Sequence, residues 1–138
     1  SDQPDAPSPR RAPYIPVLEQ VLRQIAHQIP NLRWAIIASL DGVIQSTYNP
    51  LGRERPDRIL AMVSSIVTLA QRVFRKLQHD QLTCLTLAGD AGMLVAYPIG
   101  KAYVVAINAP TETDIRSIQN TLAHAVTTLK PALFPSSG

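Results

Sequence analysis

The sequence predicts an α+β domain built on a five-stranded, mostly antiparallel sheet with helices on both faces. Three segments repeat apolar residues every three or four positions, which is the spacing of a helix that buries one side. Five shorter apolar runs indicate strands, and the links between several of them are so short that neighbouring strands must be antiparallel. The order along the chain is helix, two strands, helix, three strands, helix, which is typical of the α+β class.

The composition is that of a single domain with part of its surface covered by a partner. The 138 residues are enough for one core, and 46% of them are hydrophobic. Only 17% are charged, whereas about 25% is usual in soluble proteins. The low charge therefore predicts that some of the surface contacts another protein.

The same totals argue against several classes of function. The 13 Lys and Arg residues are scattered, and aromatic residues make up only 5% of the chain, so a nucleic-acid binder is not expected. No apolar run approaches the ~18 residues of a membrane-spanning helix. Because Cys84 is the single cysteine, no intrachain disulfide can form, which agrees with a reducing compartment such as the cytoplasm.

Prolines mark both ends of the predicted domain. Five of the first sixteen residues are proline, and because each one removes a backbone donor, we expect residues 1–14 to form a flexible arm. The domain then occupies 15–130, and 131–138 form a short flexible tail. The first helix begins at Pro16, which suits a first helical turn, and ends at Gln28.

A β-hairpin is predicted next, from Trp34 to Thr47. Its strands are Trp34 to Leu40 and Val43 to Thr47, with Asp41 and Gly42 between them. Asp-Gly between two apolar runs is a strong signal for a two-residue turn of type I′. A turn therefore explains Asp41 without any catalytic or metal-binding role.

A long helix is predicted from Pro56 or Asp57 to Leu77, and its apolar side is unusually wide. Apolar residues fill about half of the circumference, whereas a surface helix needs a stripe of just over ~100°. Either the helix lies deep between other elements or, slightly favoured, it packs against the same helix of a symmetry mate. The apolar half comprises Ile59, Leu60, Met62, Val63, Ile66, Val67, Leu69, Ala70, Val73, Phe74 and Leu77. The other half, which begins with small side chains, comprises Ala61, Ser64, Ser65, Thr68, Gln71, Arg72, Arg75 and Lys76.

Three strands and a helix complete the chain. The strands are predicted at Gln81 to Ala88, Met93 to Ile99 and Ala102 to Asn108, and they are apolar on both alternating sides, so both faces of the sheet should be covered. The first of them carries no proline and no charge, and a bare edge of that kind usually pairs with something. The last helix is expected to be capped by Thr111 and to end at Pro131.

No group of residues supports catalysis or metal binding. His27, His79 and His124 lie in different elements without ligand spacing, and Cys84 has no neighbour that would activate it. The sequence also lacks a phosphate-binding loop of the form G-x-x-x-x-G-K-[ST]. We therefore predict a protein that binds other proteins rather than an enzyme, with no cofactor and no metal.

Three segments carry a resemblance to a known family. They are VLEQVLRQIAHQIPNLRWAIIASLDGVIQS, RILAMVSSIVTLAQRVFRKL and GDAGMLVAYPIGKAYVVAINAPTETDIRSIQNTL. Taken in order, they resemble the Roadblock/dynein light chain family, whose bacterial members include the MglB type of regulator of Ras-like GTPases. The resemblance covers about Ile15 to Leu129, and it implies a profilin-like sheet with one long helix on one face and two helices on the other.

The resemblance also implies a homodimer that binds a small Ras-like GTPase. Two subunits would pair through the third strand and the long helix to give one continuous sheet. Such a dimer either stimulates GTP hydrolysis or serves as an adaptor platform; a ligand-sensing module in the cleft of the sheet is a third alternative. Arg58, Arg72 and Arg75 are candidates for contacting the GTPase, although solvated helix ends are the favoured explanation of them, because isolated surface charges seldom contribute much energy. The implied dimer surface comprises Ala61, Ser64, Ser65, Thr68, Arg72, Leu82, Thr83, Cys84, Leu85, Thr86 and Leu87.

Overall fold

The computed structural model describes residues 15–135, and within them the predicted α+β architecture is confirmed. The arm predicted at 1–14 and the last three residues of the predicted tail lie outside the described residues. The elements are α1 (Ile15–Gln28), β1 (Trp34–Ser39), β2 (Ile44–Tyr48), α2 (Pro56–Leu77), β3 (Leu85–Ala88), β4 (Met93–Ile99), β5 (Tyr103–Ala109) and α3 (Ile115–Leu133).

The five strands form one antiparallel sheet in the order β2-β1-β5-β4-β3. The first and last strands of the chain meet in the centre, where Trp34 pairs with Asn108 and Ser39 with Tyr103. This pairing brings the two ends of the described chain together and leaves β2 and β3 at the two edges.

The sheet separates two hydrophobic cores, because alternate residues of each strand point to opposite faces. In β1, Ala35 and Ile37 join the core under α1 and α3, whereas Trp34, Ile36 and Ala38 join the core under α2. All of these side chains are buried. One long helix therefore covers one face and two helices cover the other, as the family resemblance implied.

The third strand is shorter than the sequence predicted, since it begins at Leu85 and not at Gln81. Pairing starts where Leu85 faces Ala96. Two residues further back, the same register would set Thr83 opposite Pro98, which has no amide hydrogen to donate.

The predicted two-residue turn at Asp41-Gly42 is wrong, because the loop has three residues. The Ser39 amide donates to the Val43 carbonyl at 2.8 Å, and the Gly42 amide donates to the Ser39 carbonyl at 3.0 Å. Only Gly42 in this loop has positive φ, at 99°, as in a turn that ends with one left-handed residue. The carboxylate of Asp41 accepts a hydrogen bond from the Ser39 hydroxyl, so it braces the turn.

Both predicted ends of the last helix are also wrong. Asp114 caps α3 by accepting a hydrogen bond from the Arg116 amide at 3.1 Å, whereas the Thr111 hydroxyl donates to the Gly89 carbonyl. Pro131 lies inside the helix, which continues to Leu133. A proline this close to the end of a helix removes few hydrogen bonds, and Leu133 is 5% exposed and packs in the core. Residues 131–133 are therefore part of the folded domain.

Candidate interaction site at the β3 edge

β3 presents an open edge to solvent. It pairs with β4 on one side, and no strand among residues 15–135 pairs with its other side. Thr86, Leu87 and Ala88 are exposed, and Leu87 is 43% exposed although it is apolar. An open edge leaves alternate backbone amides and carbonyls free to pair with another strand.

The residues that the sequence placed on this edge lie in three different settings. Leu82 is buried in the core under α2, and Thr83 is exposed in the segment before the strand. Cys84 is half-buried against the opposite core, with its sulfur 3.6 Å from the Thr86 hydroxyl. Only Leu85, Thr86 and Leu87 of the predicted set belong to the edge strand itself.

The small side chains of α2 line a cleft beside the β1–β2 turn. The cleft has a volume of about 420 Å³, and no residue of β3 lines it. Ser65 donates its hydroxyl to the Ala61 carbonyl, whereas Ser64 is 6% exposed and its hydroxyl has no partner among the described residues. The cleft is lined by Leu40, Asp41, Gly42, Ala61, Ser64, Ser65, Thr68, Leu69 and Arg72. The structure therefore does not bring these small residues together with the β3 edge.

A row of exposed apolar side chains on α2 lies outside the dimer surface that was expected from the sequence. Leu60, Val63 and Val67 are buried against the sheet, but much of the predicted apolar half remains in solvent. Met62, Leu69, Val73 and Leu77 are exposed, with Met62 at 59%. Their spacing places Met62, Leu69 and Val73 on one side of the helix. The unusual width of the predicted apolar half had already indicated that the sheet would not cover all of it.

A second, larger cleft lies between the start of α2 and the β3–β4 hairpin. Its volume is about 550 Å³, and Ile59, Leu87 and Leu94 line it together. The side of α2 that bears Ile59 is therefore the side that faces β3. We call this cleft the hairpin groove. It is lined by Trp34, Glu54, Arg55, Pro56, Arg58, Ile59, Leu87, Gly92, Met93, Leu94 and Asn108.

Glu54 fixes the polar end of the hairpin groove. Its Oε1 accepts hydrogen bonds from the indole nitrogen of Trp34 and from the side-chain amide of Asn108, both at 2.6 Å. The side-chain amide of Asn49 also donates to the Glu54 carbonyl, at 2.9 Å. These bonds tie the loop before α2 to the end of the sheet. The loop is therefore held in one position at the entrance of the groove.

The arginines on either side of this loop differ in their pairing. Arg55 forms an ion pair with Asp57 at 3.2 Å, and its hydrogen bond lowers the pKa of the Asp57 carboxyl below the usual value. The three arginines predicted to contact a GTPase border three separate clefts. Arg58 lies at the hairpin groove, Arg72 at the cleft beside the β1–β2 turn, and Arg75 at a third cleft near Lys101.

A comparison with models of protein families identifies the family of this chain. Residues 18–109 match the model described as the Roadblock/LC7 domain, which is more than half of the sequence. The chain belongs to the Roadblock/LC7 family. No protein with a curated description matches it significantly by sequence.

Solved structures share the fold of this Roadblock/LC7 domain. A Roadblock/LC7 domain from Streptomyces avermitilis has 20% sequence identity, and the match covers 84% of this chain and 97% of that one with a TM-score of 0.76. MglB from Myxococcus xanthus has 10% identity, with 96% and 98% of the two chains covered and a TM-score of 0.75. An MglB with a tetrameric arrangement has 15% identity, coverage of 96% and 97%, and a TM-score of 0.72.

Neither a metal site nor a membrane-spanning helix is found in the described part of the Roadblock/LC7 domain. Within residues 15–135, no three His, Cys, Asp or Glu side chains gather in a way that could hold a metal ion. The same residues contain no helix that combines the length and the apolarity needed to cross a bilayer.

Proposed function

We propose that this Roadblock/LC7 chain is a homodimeric, non-enzymatic regulator of a small Ras-like GTPase in the cytoplasm. The observation that carries the proposal is the open β3 edge beside the exposed apolar side of α2. Both features lie in a fold shared with MglB. Two such edges related by a twofold axis would pair as antiparallel strands and satisfy their free backbone groups.

The α2 contacts of the proposed dimer differ from those expected from the sequence. Leu85, Thr86 and Leu87 keep their place at the paired edge. The helix contributes Met62 and Val73, which are exposed and apolar; Met62 follows Ile59, which lines the cleft facing β3, by three positions. Covering half-exposed side chains of this size contributes about 1 kcal/mol each.

The small-residue side of α2 then remains open to the GTPase. Ala61, Ser65, Thr68 and Arg72 line the cleft beside the β1–β2 turn, away from β3. Small side chains permit close approach of a partner, and Arg72 supplies a charge that can pair with an acidic group on it.

Two matched double variants distinguish the proposed dimer surface from the proposed GTPase surface. Met62→Glu with Val73→Glu places four carboxylates at the twofold contact, so we expect a monomer by light scattering. Ser65→Glu with Thr68→Glu makes the same change at two exposed positions on the other side of α2, so the dimer should persist while GTPase binding is lost. A dimer that survives the first pair, or dissociates with the second, would contradict this assignment of surfaces.

The proposed regulation of a GTPase is tested by adding the chain to small Ras-like GTPases encoded near its gene. Phosphate release that rises with the added dimer supports a role in activating hydrolysis. Arg72→Ala should weaken binding by about tenfold, as expected for loss of a charge-assisted hydrogen bond. Arg116→Ala, on α3 at the opposite face of the sheet, is the control. If the dimer binds none of these GTPases, the proposal fails.

An adaptor platform is the alternative function, and one observation favours it. Arg58, Arg72 and Arg75 are dispersed over three clefts, so the structure singles out no arginine for insertion into a GTPase active site. Tight GTPase binding with an unchanged rate of GTP hydrolysis would select the platform.

A further inference from the structure

Ser64 lies at the base of the cleft beside the β1–β2 turn. It is 6% exposed, whereas every other α2 residue that lines this cleft is exposed. Ser64 is therefore the deepest residue that α2 contributes, and a partner meets it only by inserting a group between α2 and the turn. The exposed residues around it are Ala61, Ser65, Thr68, Leu69 and Arg72.

The Ser64 hydroxyl is buried and has no hydrogen-bond partner among the described residues. A serine in a helix can donate to the carbonyl four positions earlier, and the adjacent Ser65 does so to Ala61 at 2.9 Å. Buried polar groups nearly always have a partner, because an unpaired one has lost its hydrogen bonds to water. Rotation about one bond moves a serine hydroxyl between its staggered positions, so the oxygen can pair with a group that enters the cleft.

The cleft has room for such a group, and one of its walls is preformed. Its volume of about 420 Å³ falls within the range of about 300–1,000 Å³ that is typical of binding clefts. In the turn on the other side of the cleft, the Ser39 hydroxyl donates to the Asp41 carboxylate, and the Ser39 amide donates to the Val43 carbonyl at 2.8 Å. Because these bonds already hold the turn, little conformational freedom is lost when a partner docks.

The charges of the cleft favour an uncharged occupant. One carboxylate, on Asp41, and one guanidinium, on Arg72, line it, and neither forms an ion pair within residues 15–135. A charged group would be attracted by one of them and repelled by the other, and it would lose its hydration on reaching Ser64. A hydroxyl or carboxamide loses less, and it can both donate to a serine hydroxyl and accept from it.

We propose that the cleft receives an uncharged hydrogen-bonding side chain of the GTPase, a Ser, Thr, Asn or Gln, which pairs with the Ser64 hydroxyl. This inference rests on the proposed function, since it names the chemistry of the GTPase contact at this cleft. A GTPase without such a side chain leaves the buried hydroxyl unpaired and binds more weakly, so Ser64 contributes to the choice of partner. Neither Met62 nor Val73 of the proposed dimer surface lines the cleft.

Removal of single hydroxyls tests the inference with the full chain. In titration calorimetry, Ser64→Ala should weaken binding of the GTPase by about three- to tenfold, as expected for loss of one neutral hydrogen bond. Ser65→Ala removes a hydroxyl of the same cleft that is already bonded within the helix, so it should change binding by less than about twofold. The loss caused by Ser64→Ala should be equal at low and high salt, whereas the loss caused by Arg72→Ala should shrink as salt rises.

An alanine scan of exposed Ser, Thr, Asn and Gln residues on the GTPase identifies the inserted side chain. One of these alanine variants should bind the parent chain more weakly and yet bind the Ser64→Ala chain as well as the unchanged GTPase does, because the two residues form one bond. The inference is overturned if no GTPase residue shows this coupling, if Ser64→Ala binds like the parent chain, or if its loss of binding depends on salt. A lower dimer mass for Ser64→Ala by light scattering would also overturn it, because the cleft would then belong to the second copy of the chain.

These outcomes differ from failure of the proposed function. If the parent chain binds none of the GTPases, the proposed function fails, and this inference fails with it. If the parent chain binds a GTPase and the Ser64→Ala chain binds it equally well, the inference alone is wrong.

Discussion

Removal of the Glu54 carboxylate should destabilise the domain by about 1.5–4 kcal/mol, because Glu54→Ala leaves one buried and one half-buried donor without an acceptor. The carboxylate accepts from the Trp34 indole and from the Asn108 amide, both at 2.6 Å. It thereby joins the loop before α2 to the first and last strands of the sheet.

The size of this loss of stability follows from how far each of the two donors is buried. Trp34 is 1% exposed, so its N–H is largely shielded from water, and an unsatisfied buried donor costs about 1–3 kcal/mol. Asn108 is half-buried and can turn toward solvent. The stability lost when its amide has no acceptor is therefore smaller, about 0.5–1 kcal/mol. For a domain of this size, the sum of about 1.5–4 kcal/mol corresponds to a fall in Tm of about 5–16 °C.

Intrinsic fluorescence measures this change at the affected position, since Trp34 is the single tryptophan. Thermal unfolding should be compared at one protein concentration, because dimerisation makes Tm depend on concentration. Glu54→Gln keeps an acceptor oxygen and should lower the free energy of unfolding by less than about 1 kcal/mol. Exposed Glu112→Ala is a surface control and should stay within about 0.5 kcal/mol of the parent chain. If Glu54→Ala melts like Glu112→Ala, the reasoning about the buried indole is refuted.

Three further changes test the packing. Gly100→Ala should destabilise by about 1 kcal/mol more than Gly52→Ala. Both glycines have similar positive φ, but only at Gly100 would a Cβ meet the Phe134 ring, at 2.9 Å; equal losses in thermal melts would contradict this. Burial raises the pKa of Tyr97 to about 12 from its ordinary value of 10.0, so the folded state favours the neutral phenol. The resulting stability is present below pH 10 and is lost as pH rises toward 12, and Tyr97→Phe should abolish that loss in chemical denaturation series. Ser64→Ala should leave stability unchanged or raise it by up to about 1 kcal/mol, because the buried hydroxyl has no partner among the described residues; a clear loss of stability in urea denaturation would show that this hydroxyl has a partner after all.

Part of the candidate site could be predicted from the sequence. The apolar, uncharged run before Ala88 predicted a bare strand, and β3 is an edge strand. The wide apolar half of the long helix indicated a covered surface, and Met62 is exposed on it. A helical wheel shows which residues share a side of the helix, but it does not show which side faces the sheet. The small residues were assigned to the dimer from the sequence alone, and the structure places them beside the β1–β2 turn.

The hairpin groove could not be predicted, since its residues come from distant parts of the chain. Trp34, Glu54 and Asn108 meet because β1 pairs with β5 and the loop before α2 folds over their ends. No local pattern encodes that meeting, and Glu54 lies in a loop between Arg53 and Arg55.

The amino-acid order alone determined the kind and sequence of the elements, because hydrophobic periodicity and turn residues act over a few neighbours. Tertiary structure decided where those elements end and which surfaces stay open. Leu133 continues the last helix past Pro131 because its side chain packs in a core formed by residues remote in the chain. Likewise, β3 begins only at Leu85, whose partner on β4 is Ala96. Pro98 lies two residues beyond Ala96 and has no amide hydrogen to donate, and only the strand register places it there. Contacts between distant segments set these limits, and a single sequence read along its length does not contain them.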